Sequence, residues 1–443
     1  MNVRERLYRP AAIASVAIVA AVVAGCGSKS KSSTTSAGTP ATSSVSGAIS
    51  MDGVWSGAEQ SAFQDVIKAF NEQYPHVTVN YRSTGDNTPT VLSTAVAGGH
   101  PPDLADIAQP GLMKQFAVRG VLKPETYALS SYSANFGPAW VKLGTINGKL
   151  YGIVFKASNK STVWYNVHAF KTAGISPAAT WPQFLSDAKT LRASGTPAYS
   201  IGGADGWTLT DLFENIYLRQ AGAEKYEGLT AHKIKWTDPT VKTALTTMAA
   251  VIGDTPNIYG GTTGGVQTDF PTSVNNAFQN PPKAAIVIEG DFVPGVATVK
   301  ATAGTDYNVF TFPAINGSAP AVEIGGDTIV AFSDNPAIEA FVKFLTTPAA
   351  AAAWAKHGGF ATGNKNMSPS AYPDAITRTT ATPVAHASTV VFDMSDEQPA
   401  SFGATVGQGE WGLFQDFLRN PKNVNGIAAK LESAATAAYK NGS

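Results

Sequence analysis

Five short segments of this chain set a carboxylate or an amide beside glycine. They are Thr84-Gly85-Asp86, Gln109-Pro110-Gly111, Asp205-Gly206-Trp207, Glu289-Gly290-Asp291-Phe292 and Gly325-Gly326-Asp327. Carboxylates accept hydrogen bonds, amides both donate and accept, and an aromatic face covers apolar surface, so the chemistry within reach is the holding of a polar molecule. Each residue also has a plainer reading. Asp86 could be a solvated turn residue, Gln109 a helix cap, and Asp327 a structural group at a strand start. Trp207 and Phe292 could be core residues. Asp211, near a helix start, could simply favour the helix dipole. Glu289 and Asp291 would point to one side if their segment were extended. Trp411 reads as packing, and Asp393-Met394-Ser395-Asp396 has no clear role.

The elements that must position these residues alternate. Residues 58–74 put Ala62, Phe63, Val66, Ile67, Phe70 and Tyr74 on one helical face, which Pro75 ends. Val77, Val79 and Tyr81 alternate as in a half-buried strand. Thr88-Pro89 predicts a helix start with Thr88 as the cap, and Gly98-Gly99 its end. A strand over 102–107 and a helix over 111–118 follow. Further helices are predicted from Thr180-Trp181-Pro182 to Gly195, over 208–220, from Asp238-Pro239 to Ile252, and from Pro336. Strands are predicted over 284–288, 307–312 and 327–332. Asn147-Gly148 signals a hairpin turn. Gly260 to Gly265 reads as a flexible loop without the Gly-Lys-Ser/Thr end of a phosphate loop. Such alternation points to an α/β sheet with helices on its faces.

The chain begins with Arg4, Arg6 and Arg9, then an apolar run from Ala11 to Ala24, then Gly25-Cys26. That run is about 14 residues, short of the roughly 20 that span a bilayer. A basic start, a short apolar core and small residues form an export signal over residues 1–25. Small residues ending in Cys26 resemble the lipobox of bacterial lipoproteins, which implies lipidation of Cys26 and anchoring at the outer face of the membrane. Residues 26–47, rich in Ser and Thr, form a flexible linker. Cys26 is the only cysteine of 443 residues, so no internal disulfide is possible and stability rests on a large core. The formal charge is zero, and the segment before Cys26 holds three arginines against one glutamate, so the exported part is slightly acidic. That balance argues against nucleic acid as a partner.

The ordered segments resemble the extracellular solute-binding proteins of bacterial carbohydrate ABC importers (family 1), most of all the α-glucoside-binding lipoproteins. Trp55-Ser56-Gly57, Gly98-Gly99-His100-Pro101-Pro102-Asp103, Gln109-Pro110-Gly111 and Val163-Trp164-Tyr165-Asn166 carry the first part of the likeness. Thr180-Trp181, Gly206-Trp207, Pro281-Pro282-Lys283-Ala284, Glu289-Gly290-Asp291-Phe292, Gly325-Gly326-Asp327 and Trp354-Ala355-Lys356-His357-Gly358-Gly359-Phe360 carry the rest. The resemblance implies a two-lobed periplasmic-binding-protein fold of type II. The lobes would be discontinuous, 48–157 with 311–358 and 158–310 with 359–443, joined by crossing strands near 155–165 and 308–312. Ligand would lie in the cleft between them. The residues implied there are Asp86, Gln109, Lys160, Asp205, Trp207, Asp211, Glu289, Asp291, Phe292 and Asp327. Lys160, in the hinge strand, could equally be a solvated edge residue. Family members often carry an amide where Asp291 stands. The implied partners are an α-glucoside or other oligosaccharide, membrane permease subunits with an ATPase, and the membrane through Cys26. A monomer without cofactor is expected.

Two other readings remain open. A binding protein for glycerol phosphate, a polyamine or a peptide shares the fold, although no cluster of arginines stands beside the candidate acids. A surface-anchored glycoside hydrolase would need two carboxylates flanking a bond, and two on one strand do not. There is no Gly-x-Ser-x-Gly, no His-Glu-x-x-His and no cysteine nucleophile. The six histidines, at 76, 100, 168, 232, 357 and 386, show no metal-ligand spacing.

Overall fold

The computed structural model describes residues 44–386 and 389–441. The export segment and Cys26 lie outside the described residues, as does most of the linker. Strand β1, Ser46–Gly53, runs parallel to β2, His76–Ser83, from Ser46 opposite His76 to Gly53 opposite Ser83. Its other edge meets β3, Leu104–Ile107, also in parallel. Parallel neighbours need crossovers, and the helices Gly57–Asn71 and Thr88–Ala97 supply them. The face read from the spacing of Ala62, Phe63, Val66, Ile67 and Phe70 is buried throughout. The second helix is preceded by a tight turn over Gly85–Asn87, so Asn87, not Thr88, takes the cap position. The Thr88 hydroxyl instead donates to the Gly85 carbonyl, 2.6 Å away.

Strands β4 (Thr145–Ile146) and β5 (Lys149–Leu150) form the expected hairpin, with Asn147 and Gly148 at φ 49° and 76°. The chain continues through β6 (Ile153–Asn159) and β7 (Thr162–Asn166), then β8 (Ile286–Ile288) and β9 (Tyr307–Thr311). Strands β10 (Val322–Ala331) and β11 (Val390–Phe392) complete the set. The first sheet is ordered β11-β10-β3-β1-β2, with β6 antiparallel on β10. The second is β8-β7-β9, wholly antiparallel. Strand β10 begins five residues before the expected Asp327, at Val322, because β11 and β6 both extend its ladder.

Each sheet has its own core. Trp55, Phe63, Phe70, Phe155, Phe341 and Trp354 centre the first, and Phe184, Phe213, Tyr217, Trp236, Leu245 and Phe414 the second. Phe360, Met367, Tyr372 and Val384 belong to the first core. They follow position 359, where the resemblance moves the chain to the second lobe; their packing keeps them with the first. The chain passes between the cores three times: from β6 to β7, from β9 to β10, and after β11. No helix among the described residues is long and apolar enough to cross a membrane.

One glycine-rich stretch differs from its loop reading, and one glycine start of a helix is strained for any other residue. Gly261–Gln267 is a helix, because Gly260 takes a left-handed conformation at its start and Gly265 packs against Leu418, Ile201 and Ile258. Gly206 begins the helix Trp207–Ala221 at φ 87° and ψ −47°, a region closed to L side chains. A Cβ there would also stand 2.7 Å from the Cβ of Trp411. Gly206→Ala should therefore lower stability by about 1–3 kcal/mol, measured as a lower midpoint in urea denaturation.

Candidate functional site

A cleft of about 360 Å³ lies between the two cores and takes its lining from both. Trp55, Glu59, Asp86, Gln109, Lys156 and Asp327 line it on the side of the first core, and Asp205, Trp207, Phe270, Phe292 and Trp411 on the side of the second, where Trp207, Phe270 and Phe292 belong to a smaller cluster of their own. Lys160, Asp393, Ser395 and Asp396 line the cleft where the chain passes between the two cores. Of the residues read from the sequence, Asp86, Gln109, Lys160, Asp205, Trp207, Phe292 and Asp327 reach the cleft.

Trp207 is held by the turn at Gly206 and packs edge-on against Phe270, ring centres 5.0 Å apart, with Phe292 at 6.0 Å. It is half-buried, which leaves ring surface for a ligand. Asp205 accepts the Phe270 amide at 2.6 Å. Asp86 faces this end of the cleft from the first core. Much of Asp86 is open to solvent, yet the surrounding walls push its carboxyl up to about 6, with Asp205 adding to the rise and a Trp207 hydrogen bond opposing it. Gln109 sits at a helix start but makes no capping bond; its Nε2 lies 3.3 Å from Asp396 across the cleft.

Two lysines face the cleft, and both are already neutralised. The Lys156 ammonium lies 3.0 Å from Glu59 and 3.2 Å from Asp327, whose same oxygen accepts the Trp55 indole N–H at 2.7 Å. Asp327 stands where the β10–β6 register shifts, an irregularity that aims its side chain off the ladder. The Lys160 ammonium is bound by Asp211 at 3.2 Å and by Asp393, with Asp396 at 3.9 Å. Burial alone would lower its pKa, but these acids raise it well above the usual lysine value. Lys160 is thus neither an edge residue nor solvated. Gly325 makes room for its stem, since a Cβ there would meet Lys160 Cε at 2.7 Å.

Three expected residues stand behind the wall. Asp211 is buried on Lys160, which is a firmer role than a dipole contact; burial pushes it up to about 7. Glu289 lines a separate cavity of about 20 Å³, and burial and then Asp211 raise its pKa well above the usual range. Asp291 is buried without a side-chain partner. Strand β8 ends at Ile288, so Glu289 and Asp291 do not form the extended pair expected of them.

Trp55, Glu59, Lys156, Ser158, Asp393, Asp396 and Trp411 were not singled out as contacts. Lys156, Ser158 and Lys160 follow the period of a strand, and that alternation could have found them. Trp411, read as packing, is buried yet lines the cleft beside Gly206.

Burial, opposed by the Asn159 amide environment and Lys156, raises Asp291 to about 7, against 3.8 in an open chain. Between those values the folded state holds a proton that the unfolded state has lost, so stability falls as pH rises through the window. Asp291→Asn should remove this loss and stabilise the protein by about 2–4 kcal/mol at pH 8. The check is urea denaturation of both proteins from pH 4 to 8, with the difference growing across that range.

Residues 30–352 match the family model of bacterial extracellular solute-binding proteins. The osmoprotective compounds-binding protein GgtB of Synechocystis sp. is 30% identical over 379 residues, 84% of this chain and 88% of its own. The alpha-glucosides-binding periplasmic protein AglE of Rhizobium meliloti is 30% identical over 403 residues, 87% of this chain and 86% of its own. Among solved structures, the bacterial solute receptor AcbH superposes with a TM-score of 0.76 at 20% identity, covering 89% of this chain and 98% of AcbH. A chitin oligosaccharide binding protein gives 0.74 at 19%, covering 89% and 99%. The shared fold is the two-lobed periplasmic-binding-protein fold of type II, with crossing strands as hinge and the cleft between lobes.

Proposed function

Because this chain belongs to the family of bacterial extracellular solute-binding proteins, we propose that it captures an oligosaccharide, of the α-glucoside class, and delivers it to an ABC importer. The observation that carries this reading is the cleft lining: aromatic rings beside carboxylates and an amide, drawn from both lobes. A ligand favours closure only through contacts made with both sides. The likeness to AglE, which binds alpha-glucosides, supports the class. AcbH, with its exclusive preference for β-D-galactopyranose, marks the alternative of a single sugar ring.

The charge pattern argues for a neutral ligand over glycerol phosphate. Glu59, Asp86, Asp205, Asp269, Asp327, Asp393 and Asp396 line the cleft against Lys156 and Lys160, both already paired with acids. No cation remains for a phosphate among these residues. The protein works outside the cytoplasm, as its family does. We read Cys26 as the lipid anchor, the protein as a monomer, and the partners as two membrane permease subunits and an ATPase. Hydrolysis is not part of this reading, since Glu289 and Asp291 lie behind the wall instead of flanking a ligand.

The test is a thermal-shift screen of the full chain carrying Cys26→Ser against maltose, trehalose, sucrose, glucose, glycerol 3-phosphate and a polyamine. A selective rise in Tm with an α-linked glucoside, the sugar recovered intact, supports the proposal. A rise with glycerol phosphate or the polyamine alone overturns the ligand class. Trp207→Ala should weaken sugar binding by roughly 10- to 100-fold, about 1.5–3 kcal/mol, while keeping most of the wild-type Tm. Unchanged affinity by calorimetry would remove Trp207 from the site.

A further inference from the structure

The helix Trp207–Ala221 carries a polar stripe at four-residue spacing: Trp207, Asp211, Asn215 and Arg219. Residues four apart lie on one helix face. Such a stripe normally faces water, yet Asp211, Asn215 and Arg219 are 2%, 0% and 5% exposed. What they touch is the crossing chain. Asp211 holds the Lys160 ammonium. Asn215 Nδ2 donates to the Lys160 carbonyl at 3.1 Å and to Glu323 Oε2 at 2.8 Å. Asn215 Oδ1 accepts the Ser161 hydroxyl at 2.6 Å, and that hydroxyl accepts the Glu323 amide at 2.9 Å. Arg219 lies 5.9 Å over the Phe312 ring.

Those contacts belong to separate passes between the lobes. Lys160 and Ser161 join β6 to β7; Phe312 leaves β9, and Glu323 stands at the start of β10. The passes are also tied to each other. The Lys160 amide donates to the Glu323 carbonyl at 2.8 Å, the Phe312 amide to the Ser161 carbonyl at 3.0 Å, and the Asp393 amide to the Ile324 carbonyl at 2.8 Å. One rigid helix therefore runs from a ring in the cleft, at Trp207, to a knot in which all three passes meet.

We propose that Asn215 and Ser161 are positioning residues: they pin the crossing strands to this helix and thereby set the balance between open and closed lobes, and so ligand affinity, without touching ligand. The proposal rests on the reading that the cleft takes a solute. Neither residue lines the cleft, so its effect on binding passes through the hinge. Loosening the pin adds conformations to the empty protein, lowers the fraction competent to bind, and raises Kd in proportion.

The test compares the full chain carrying Cys26→Ser with the same chain bearing Ser161→Ala or, separately, Asn215→Ser. Ser161→Ala removes only the hydroxyl between Asn215 and Glu323. Hydrogen exchange is followed at residues 159–162 and 321–324, and Kd is measured for maltose and trehalose. The expected result is exchange roughly tenfold faster at those passes, with the lobe cores unchanged. Both sugars should weaken by the same factor, about 5- to 10-fold, so that their affinity ratio is kept. Unchanged exchange at the passes in both variants overturns the pin. Faster exchange with unchanged affinity overturns its role in binding, leaving a structural bond. A changed ratio does the same, because it places the residues on the ligand. If none of the screened sugars binds the parent chain, the reading of the cleft falls, and exchange still decides whether the pin exists.

Discussion

An ammonium removed from water has to be answered by carboxylates, and in this protein that demand falls where the two lobes join. Lys160 follows β6 directly, on the chain that leaves the first lobe, and its charge is met by Asp211 from the second and by Asp393 in the pass after β11. Burial works against the ion, and the acids more than offset it. Asp393 correspondingly stays below the usual carboxylate range despite its own burial, because Lys160 stands against it. The acids in turn fix the helix that begins at Trp207 and the segment that follows β11. Much of the cleft floor is therefore placed by one ion-pair cluster.

That cluster explains why neighbouring acids take different states. Asp396 and Glu289 share the same buried region but lie farther from the ammonium or behind Asp211, and burial carries both well above their ordinary range. The cleft lining thus sets Asp393, held low by Lys160, beside Asp396, raised by burial. The aromatic cluster of Trp207, Phe270 and Phe292 supplies the apolar half of the surface.

The outline of the fold was legible because helices announced themselves by apolar spacing and by Pro near their first turns, as at Pro239 and Pro336. β1 was not, because its Ser and Gly content continues that of the linker before it, and only pairing with β2 and β3 reveals it as a strand. The candidate site was legible where glycine stands beside a residue of the cleft wall, at turns for Asp86 and Trp207 and within β10 for Asp327. It was not legible where orientation depends on tertiary packing. Glu289 and Asp291 carry the same sequence signal as Asp205 and Trp207, yet the chain leaves β8 in a direction that buries them. Trp411 looks like a core residue because it is one on three sides; the fourth is the cleft.

The excess of carboxylates around the cleft acts before any contact is made. Lys156 and Lys160 leave a net negative field at its mouth, where Asp86 and Asp205 have no paired cation among the described residues. Low-dielectric walls focus such a field outward over a distance set by the salt. Anionic solutes would be slowed during approach, while neutral ones arrive at the rate of diffusion and are sorted only by the groups they meet inside. Selection is then divided in time, with charge screened during encounter and polar contacts made after entry.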